Sequence, residues 1–289
     1  MKTTKKIFIV SFVFIGIIII LNHKALFTEN SSSTNPIIIN YNGVKVNAII
    51  DGPESKEVDV LLAFHGTTMD DSKILEAADT MLKNTKRIIK KENVMIISVA
   101  YPEEGLLMGD NIREAEAALL WTKNNASKEL GVKINKIYLI GHSQGGYLVT
   151  RLNTMYKTDG VIANGAGPID LGFRCKLDES GKIEYEGEES KEEVCALLKK
   201  EYGSVLNNPI PYIQRSMISF SSGYKSKILF VQGMKDGNVQ MNLWPKFKEK
   251  VSQCTDCAEY KFLEVGNSGH GAAFENDKAI QAINNFLFD

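Results

Sequence analysis

The chain has 289 residues, 44% of them hydrophobic and 24% charged, with 34 Lys plus Arg against 35 Asp plus Glu and a formal net charge of -1. That length suits one sizeable α/β domain or two small ones, and the apolar content is that of an ordinary globular protein. So even a charge balance leaves no footprint for a polyanion, which excludes nucleic acid as an expected partner.

The N-terminus has its own character. Lys2, Lys5 and Lys6 precede the apolar run Ile7–Leu21, broken only by Ser11 and Gly16. A basic start followed by such a run is an export signal. The run is short for a full membrane span, which needs about 20 residues. His23-Lys24-Ala25 offers a small residue at only one of the two places a cleavage site wants, and no cysteine follows to carry a lipid. Residues 1–25 therefore read as a signal peptide or an uncleaved N-terminal membrane anchor. The protein is expected to be secreted, periplasmic or anchored facing the extracytoplasmic side. Residues 26–36, with Ser31-Ser32-Ser33, read as a polar linker.

Ile37–Ile39 and Val44–Asp51 read as a hairpin around Asn42-Gly43, a pair that tolerates positive φ at both positions. Val58–Phe64 is an apolar strand ending at His65-Gly66-Thr67-Thr68. Ile74, Ala78, Met81, Leu82 and Ile89 mark one face of a helix. Val94–Ala100 is the next strand, closed by Tyr101-Pro102. Asn111 with Glu114 has the form of a capping box, opening a helix through Ile112, Ala115, Leu119, Ala126 and Leu130 that stops at Gly131. Ile137–Ile140 is a buried strand, Leu148, Val149, Leu152 and Met155 fall at helical spacing, and Gly160–Asn164 is a further strand.

Asp170–Tyr224 breaks the rhythm. It is rich in Glu and Lys from Lys176 to Lys200, with a capped helix starting at Ser190. Alternation then resumes with a strand at Lys227–Gln232 and a helix marked by Leu243, Trp244, Phe247 and Val251, with Pro245 in its first turn. A strand at Tyr260–Val265 and a helix marked by Ala279, Ile280, Ile283 and Phe286 complete the chain. Short apolar strands alternating with helices predict an α/β fold with a mostly parallel sheet covered on both faces. The segment at about 170–224 is expected as a cap insertion over the strands' carboxyl ends, where open α/β sheets bind ligands.

Between the Ile137 strand and the Leu148 helix stands Gly141-His142-Ser143-Gln144-Gly145, a G-x-S-x-G pentapeptide in the strand–turn–helix context of a nucleophile elbow. The turn lifts the Ser143 hydroxyl clear of the sheet and sets the Gln144 N–H beside it at a helix N-terminus, where an anion is favoured. A serine needs a base, and the base an orienting acid. Of the 4 histidines, His23 lies in the export segment, His65 in the loop after the Val58 strand, and His142 on the turn itself, pointing away from the serine. His270 remains, just past the Tyr260 strand, among small neighbours that let the loop bend back. Asp236, directly after the Lys227 strand, is the expected acid, with Asp170 in reserve. The tetrahedral oxyanion needs two donors: the Gln144 N–H and the Thr67 N–H. His65 is expected to brace the Thr67 loop.

Of the 4 cysteines, Cys175 and Cys195 share one charged segment, and Cys254 and Cys257 form a C-x-x-C. Three pairings are open, and the local one is the simplest. The C-x-x-C follows a helix and does not open one after a strand, which speaks against a redox motif. Spacing and an oxidising compartment speak against zinc.

From about Ile37 to Phe288 the chain resembles an α/β-hydrolase. His65-Gly66-Thr67, the Gly141–Gly145 pentapeptide and Gly233–Val239 leading to His270 agree in type, order and spacing, and the chain order Ser, Asp, His is that of the superfamily. Tyr212-Ile213-Gln214-Arg215-Ser216 is similar to the catalytic domain of the prolyl oligopeptidase family and to dienelactone-hydrolase-like esterases. The resemblance implies a serine hydrolase that needs no metal or organic cofactor and acts on a small-molecule ester or a peptide. An ester is the first expectation, because it expels its alcohol more readily than an amide its amine. A small-peptide or amide hydrolase, an acyltransferase and a non-catalytic binding protein on the same fold are the alternatives.

Overall fold

The computed structural model describes residues 36–182 and 190–289. The expected export segment, all but the last residue of the linker, and part of the charged run lie outside the described residues.

Eight strands form one sheet: β1 Ile37–Tyr41, β2 Val44–Asp51, β3 Glu57–Phe64, β4 Val94–Ala100, β5 Lys133–His142, β6 Gly160–Asn164, β7 Ile228–Gly233 and β8 Tyr260–Val265. Their order across the sheet is β1-β2-β4-β3-β5-β6-β7-β8. β2 is antiparallel to β1 and to β4, and every pair from β4 onward is parallel. Asn42 and Gly43, at φ 48° and 80°, make the expected hairpin turn. The register aligns the strand ends: Phe64 pairs with Gly141, His142 with Asn164, Asn164 with Val231, and Gly233 with Val265. Loops leaving those ends converge on one edge of the sheet.

The helices are α1 Ile74–Ile88, α2 Ile112–Asn124, α3 Ala126–Leu130, α4 Gln144–Met155, α5 Leu171–Glu179, α6 Ser190–Tyr202, α7 Ile210–Gln214, α8 Asn238–Ser252, α9 Ala272–Glu275 and α10 Asp277–Phe288. Strand side chains alternate between two faces, so the sheet carries two cores. Val60, Leu62 and Phe64 pack with Leu119 of α2, Leu148 and Leu152 of α4 and Phe247 of α8. Leu61, Ala63, Tyr138 and Ile140 pack with Met81 and Leu82 of α1 and Ile283 and Phe286 of α10. Covering both faces is why the inner strands read as continuous apolar runs. Truncating a fully buried residue such as Leu62 to alanine would cost about 2–5 kcal/mol.

Three local expectations are corrected. The helix expected from Ile112 to Gly131 is two, because Asn125 leaves helical geometry (φ -122°) and Gly131 at φ 67° ends the second. Asn111 makes no side-chain capping bond. α8 starts at Asn238, so Pro245 lies inside the helix and not in its first turn.

The segment between β6 and β7 carries α5, α6, α7 and a 3-10 turn at Met217–Phe220. It is pinned to the sheet end through Met217 N–H to Pro168 O (2.9 Å) and Ile218 N–H to Ile169 O (2.9 Å). A Cys175–Cys195 disulfide ties α5 to α6, and Cys254 pairs with Cys257, which are the two local pairs.

Candidate active site

β5 delivers the chain to Ser143 and α4 carries it away. Ser143 sits at φ 55°, ψ -117°, a conformation that costs a non-glycine residue on the order of 1–3 kcal/mol. Its neighbours must be glycine. A Cβ on Gly141 would lie 2.1 Å from Gly145 O, and one on Gly145 would lie 2.1 Å from Phe64 O. Backbone bonds hold the strained residue: Ser143 N–H donates to Asn164 O (2.9 Å), and Ser143 O accepts from Tyr147 N–H (3.1 Å) and Gly167 N–H (3.2 Å).

The loops after β7 and β8 bring Asp236 and His270 together, with His270 Nδ1 2.8 Å from Asp236 Oδ2. Asp236 also accepts from Gln232 Nε2 (2.8 Å) and, on Oδ1, from Gly237 N–H (2.7 Å). Burial works to raise its pKa, but the His270 bond, Gln232 and Gly237 outweigh it and hold the carboxyl below the usual range. Its side chain is 7% exposed, whereas that of His270 is 43% exposed, so the imidazole faces solvent from a buried anchor. His270 lies near the elbow: its ring centroid is 4.8 Å from that of His142. Nε2 of His270 and Oγ of Ser143 make no hydrogen bond among the described residues. Such bonds are often long in unliganded enzymes and tighten on substrate binding.

The other candidates have other work. His142 Nδ1 accepts from Asn164 Nδ2 (2.9 Å), and its ring packs on His270 and Phe274. Burial, reinforced by the His270 charge, lowers its pKa to about 3, so it is neutral. His65 Nδ1 donates to Gly66 O (2.7 Å), the ring stacks on Tyr101 at 4.1 Å, and burial lowers its pKa to about 4. It braces the loop, as expected. Asp170, the reserve acid, caps α5 by accepting from Phe173 N–H (3.0 Å) and pairs with Lys246 (3.3 Å).

Thr67 and Gln144 also meet. Thr67 Oγ1 donates to Gln144 Oε1 (2.8 Å), tying together the two segments whose N–H groups are the expected oxyanion donors. Neither of those N–H groups has an acceptor among the described residues.

Sequence reading missed the residues that hold this loop and the loops around Ser143 and His270. Glu103 Oε2 accepts from Thr68 N–H (2.9 Å) and Met69 N–H (3.3 Å), and Tyr101 OH donates to His65 O. Asn164 takes Ala273 N–H on Oδ1 (3.0 Å), linking the elbow to the segment after His270. Their one sequence signal is position at a strand's carboxyl end. Cys254, Asp256 and Cys257 bring three ligand-type atoms together, but the two sulfurs are joined in a disulfide and so are not the thiolates that ligate a metal.

No protein-family model matches the chain, and no curated protein matches its sequence. Solved structures do. An esterase from Pyrobaculum calidifontis superposes with a TM-score of 0.63 at 16% identity, over 88% of this chain and 82% of its own. Est1E from Butyrivibrio proteoclasticus gives 0.55 at 16% identity, over 87% of this chain and 97% of its own. An acylaminoacyl peptidase from Pyrococcus horikoshii gives 0.56 at 12% identity, over 87% of this chain but 39% of that longer one. Identities this low speak for architecture alone. With the sheet order and the elbow, they show that the chain has the α/β-hydrolase fold.

Proposed function

We propose that the protein is an exported serine hydrolase that cleaves a carboxylic ester through an acyl-enzyme. The observation that carries this reading is the His270–Asp236 pair, 2.8 Å apart, beside a serine held at positive φ between two obligatory glycines. Ser143 Oγ attacks the carbonyl carbon while His270 takes its proton. Asp236 fixes the imidazole tautomer and stabilises its charged form. The N–H groups of Thr67 and Gln144 receive the oxyanion. His270 then returns the proton to the departing alcohol, and water releases the acid by the same route. Every group in this sequence belongs to the chain, so no metal or cofactor is invoked. Export is supported by the two disulfides, which persist in oxidising compartments, and by the basic and apolar start of the sequence.

The second reading is a peptide or amide hydrolase, favoured by the shared fold of the Pyrococcus horikoshii acylaminoacyl peptidase. Fluorophosphonate labelling followed by a panel of nitrophenyl esters and peptide anilides separates the two. The expected outcome is labelling at Ser143, faster turnover of esters, and a loss on the order of a million-fold in Ser143→Ala. Labelling at another serine would overturn the nucleophile. Faster turnover of anilides would put the peptide reading first, and binding without labelling or turnover would leave a non-catalytic protein. Transfer to an added alcohol or amine in preference to water would make it an acyltransferase.

A further inference from the structure

Beside the Thr67–Gln144 contact lies a cleft lined in part by Met69, Glu103, Met108, Asn111, Gln144 and, from α6 of the insertion, Val194. It encloses about 230 Å³, its open mouth included, and its interior has room for about one water-sized group. Glu103 and Asn111 are each 2% exposed, yet Glu103 Oε1 and Asn111 Oδ1 have no hydrogen-bond partner among the described residues. His65 Nε2 is also unpaired, on a ring whose Nδ1 is 4.0 Å from Glu103 Oε1. With Nδ1 donating to Gly66 O, that Nε2 is an acceptor too. A buried acceptor left unpaired is unfavourable, and a buried carboxylate more so.

Among the described residues the carboxyl also lacks a cation. His65 is the only basic group within 4.0 Å of it among the described residues, and burial keeps that ring neutral. Asp71 Oδ1 accepts the N–H groups of Glu103 and Glu104, adding negative charge nearby. Burial lifts the Glu103 carboxyl to about 7 against the two loop N–H groups that lower it, and Asp71 adds to the rise. A primary ammonium complements a buried carboxyl and neighbouring acceptors, because it brings three donors and a positive charge in a water-sized head. A hydroxyl brings one donor and no charge, and a guanidinium is too large.

Chemistry says which part of a substrate reaches there. The leaving group must lie against His270 to receive its proton. None of the cleft's residues comes from the loops carrying Asp236 or His270. The group entering the cleft therefore belongs to the acyl portion. We propose that the Glu103–Asn111 cleft is an acyl-side subsite for a primary ammonium, so that the preferred substrates are esters of amino-bearing acids. This rests on the hydrolase reading above.

The test compares 2-naphthyl esters of ω-amino acids of two to five carbons with the esters of their methyl-ended counterparts, at pH 8. For at least one chain length the amino ester should have a tenfold or greater advantage in kcat/KM. Glu103→Gln and Asn111→Leu should each bring that ratio to within about twofold of unity. The ratio cancels any general loss arising through Thr68 and Met69. No advantage at any length, or an advantage that survives both substitutions, would overturn the subsite. If no ester is turned over and fluorophosphonate fails to label Ser143, the hydrolase reading falls instead. The cleft is then judged by thermal melting with n-butylammonium chloride against equal sodium chloride. A rise in wild type that Glu103→Gln abolishes supports it, and no rise overturns it.

Discussion

His270 Nδ1 and Asp236 Oδ2 stand 2.8 Å apart, joining two loops 34 residues distant in sequence at the carboxyl ends of adjacent parallel strands. The carboxylate is fixed from three sides, by His270, Gln232 and Gly237, and the imidazole from one. An acid so held suits the orienting role proposed for it. Asp236→Asn should fold normally yet lose roughly 10⁴-fold in kcat, because an amide permits the wrong imidazole tautomer. Asp170→Asn, which affects only a helix cap and an exposed ion pair, should stay within a few-fold of wild type. Steady-state kinetics on a nitrophenyl ester decides the matter, and the reverse pattern would move the acid to Asp170.

Acid should destabilise the fold through its buried imidazoles. His65 and His142 have folded values of about 4 and about 3 against an ordinary 6.5, so the unfolded chain binds protons more readily. Their contribution is complete above pH 6.5 and is lost as pH falls toward those folded values. Glu103 acts the other way. Raised from 4.5 to about 7, it contributes stability below pH 4.5 that is lost as pH rises through 7. Between pH 6.5 and 4.5 two histidines oppose one glutamate, so urea midpoints should fall toward acid. One net proton corresponds to about 1.4 kcal/mol per pH unit. Glu103→Gln removes the opposing group and should steepen the fall, whereas a shallower slope in that variant would contradict this assignment.

The placing of Ser143, Asp236 and His270 on loops at one sheet edge is legible because each follows a strand end, and parallel strands place their ends at one edge. Glu103 follows β4 just as closely, but its role comes from reaching Thr68, 35 residues away, in the loop after a strand that pairs with β4. Residue spacing carries no record of that reach. Asn111 shows the opposite failure. Its spacing to Glu114 matches a capping box, but the entering turn uses backbone acceptors, with Ile112 N–H to Gly109 O (3.3 Å) and Arg113 N–H to Asp110 O (3.4 Å). Pro245 suits a helix's first turn, yet it lies well inside α8. Leu243, Trp244, Phe247 and Val251, all buried, hold α8 together around it.

The elbow glycines give a stability prediction independent of any substrate. A methyl group on Gly145 would meet Phe64 O at 2.1 Å and His65 O at 2.5 Å, both backbone atoms of the strand end that leads to Thr67. Relief requires moving α4 or β3, so Gly145→Ala should cost at least about 3 kcal/mol. For a domain of this size that is roughly 6–12 °C in Tm. Fluorophosphonate labelling should also be lost, since α4 begins at Gln144 and β3 leads to Thr67, so either shift displaces one of the two proposed oxyanion donors. Gly266→Ala meets nothing within 4 Å and is the control. A Gly145→Ala protein that melts and labels like wild type would refute the elbow packing.

The disulfides should act on different parts of the molecule. Cys175–Cys195 links α5 to α6 across a sequence separation of 20, within a segment attached to the sheet by few backbone bonds. Closing a loop of that size contributes roughly 3 kcal/mol on the chain-entropy account, less any strain in the folded state. Both cysteines are buried, at 1% and 2% exposure, and lie with Leu198 and Tyr212 where the insertion joins the apolar cluster on one face of the sheet. Cys254–Cys257, three residues apart, closes too short a loop to add much and fixes the turn between α8 and β8. Non-reducing peptide mapping of exported protein should find both local pairs. The double variant Cys175→Ser, Cys195→Ser should become sensitive to protease within the insertion while Ser143 still labels, because the elbow is held by β5, β6 and α4. The corresponding Cys254, Cys257 variant should show neither change. Four free thiols would show that the bridges do not form in the exported protein, and loss of Ser143 labelling that precedes cleavage in the insertion would show that the Cys175–Cys195 bridge supports the sheet and not the cap.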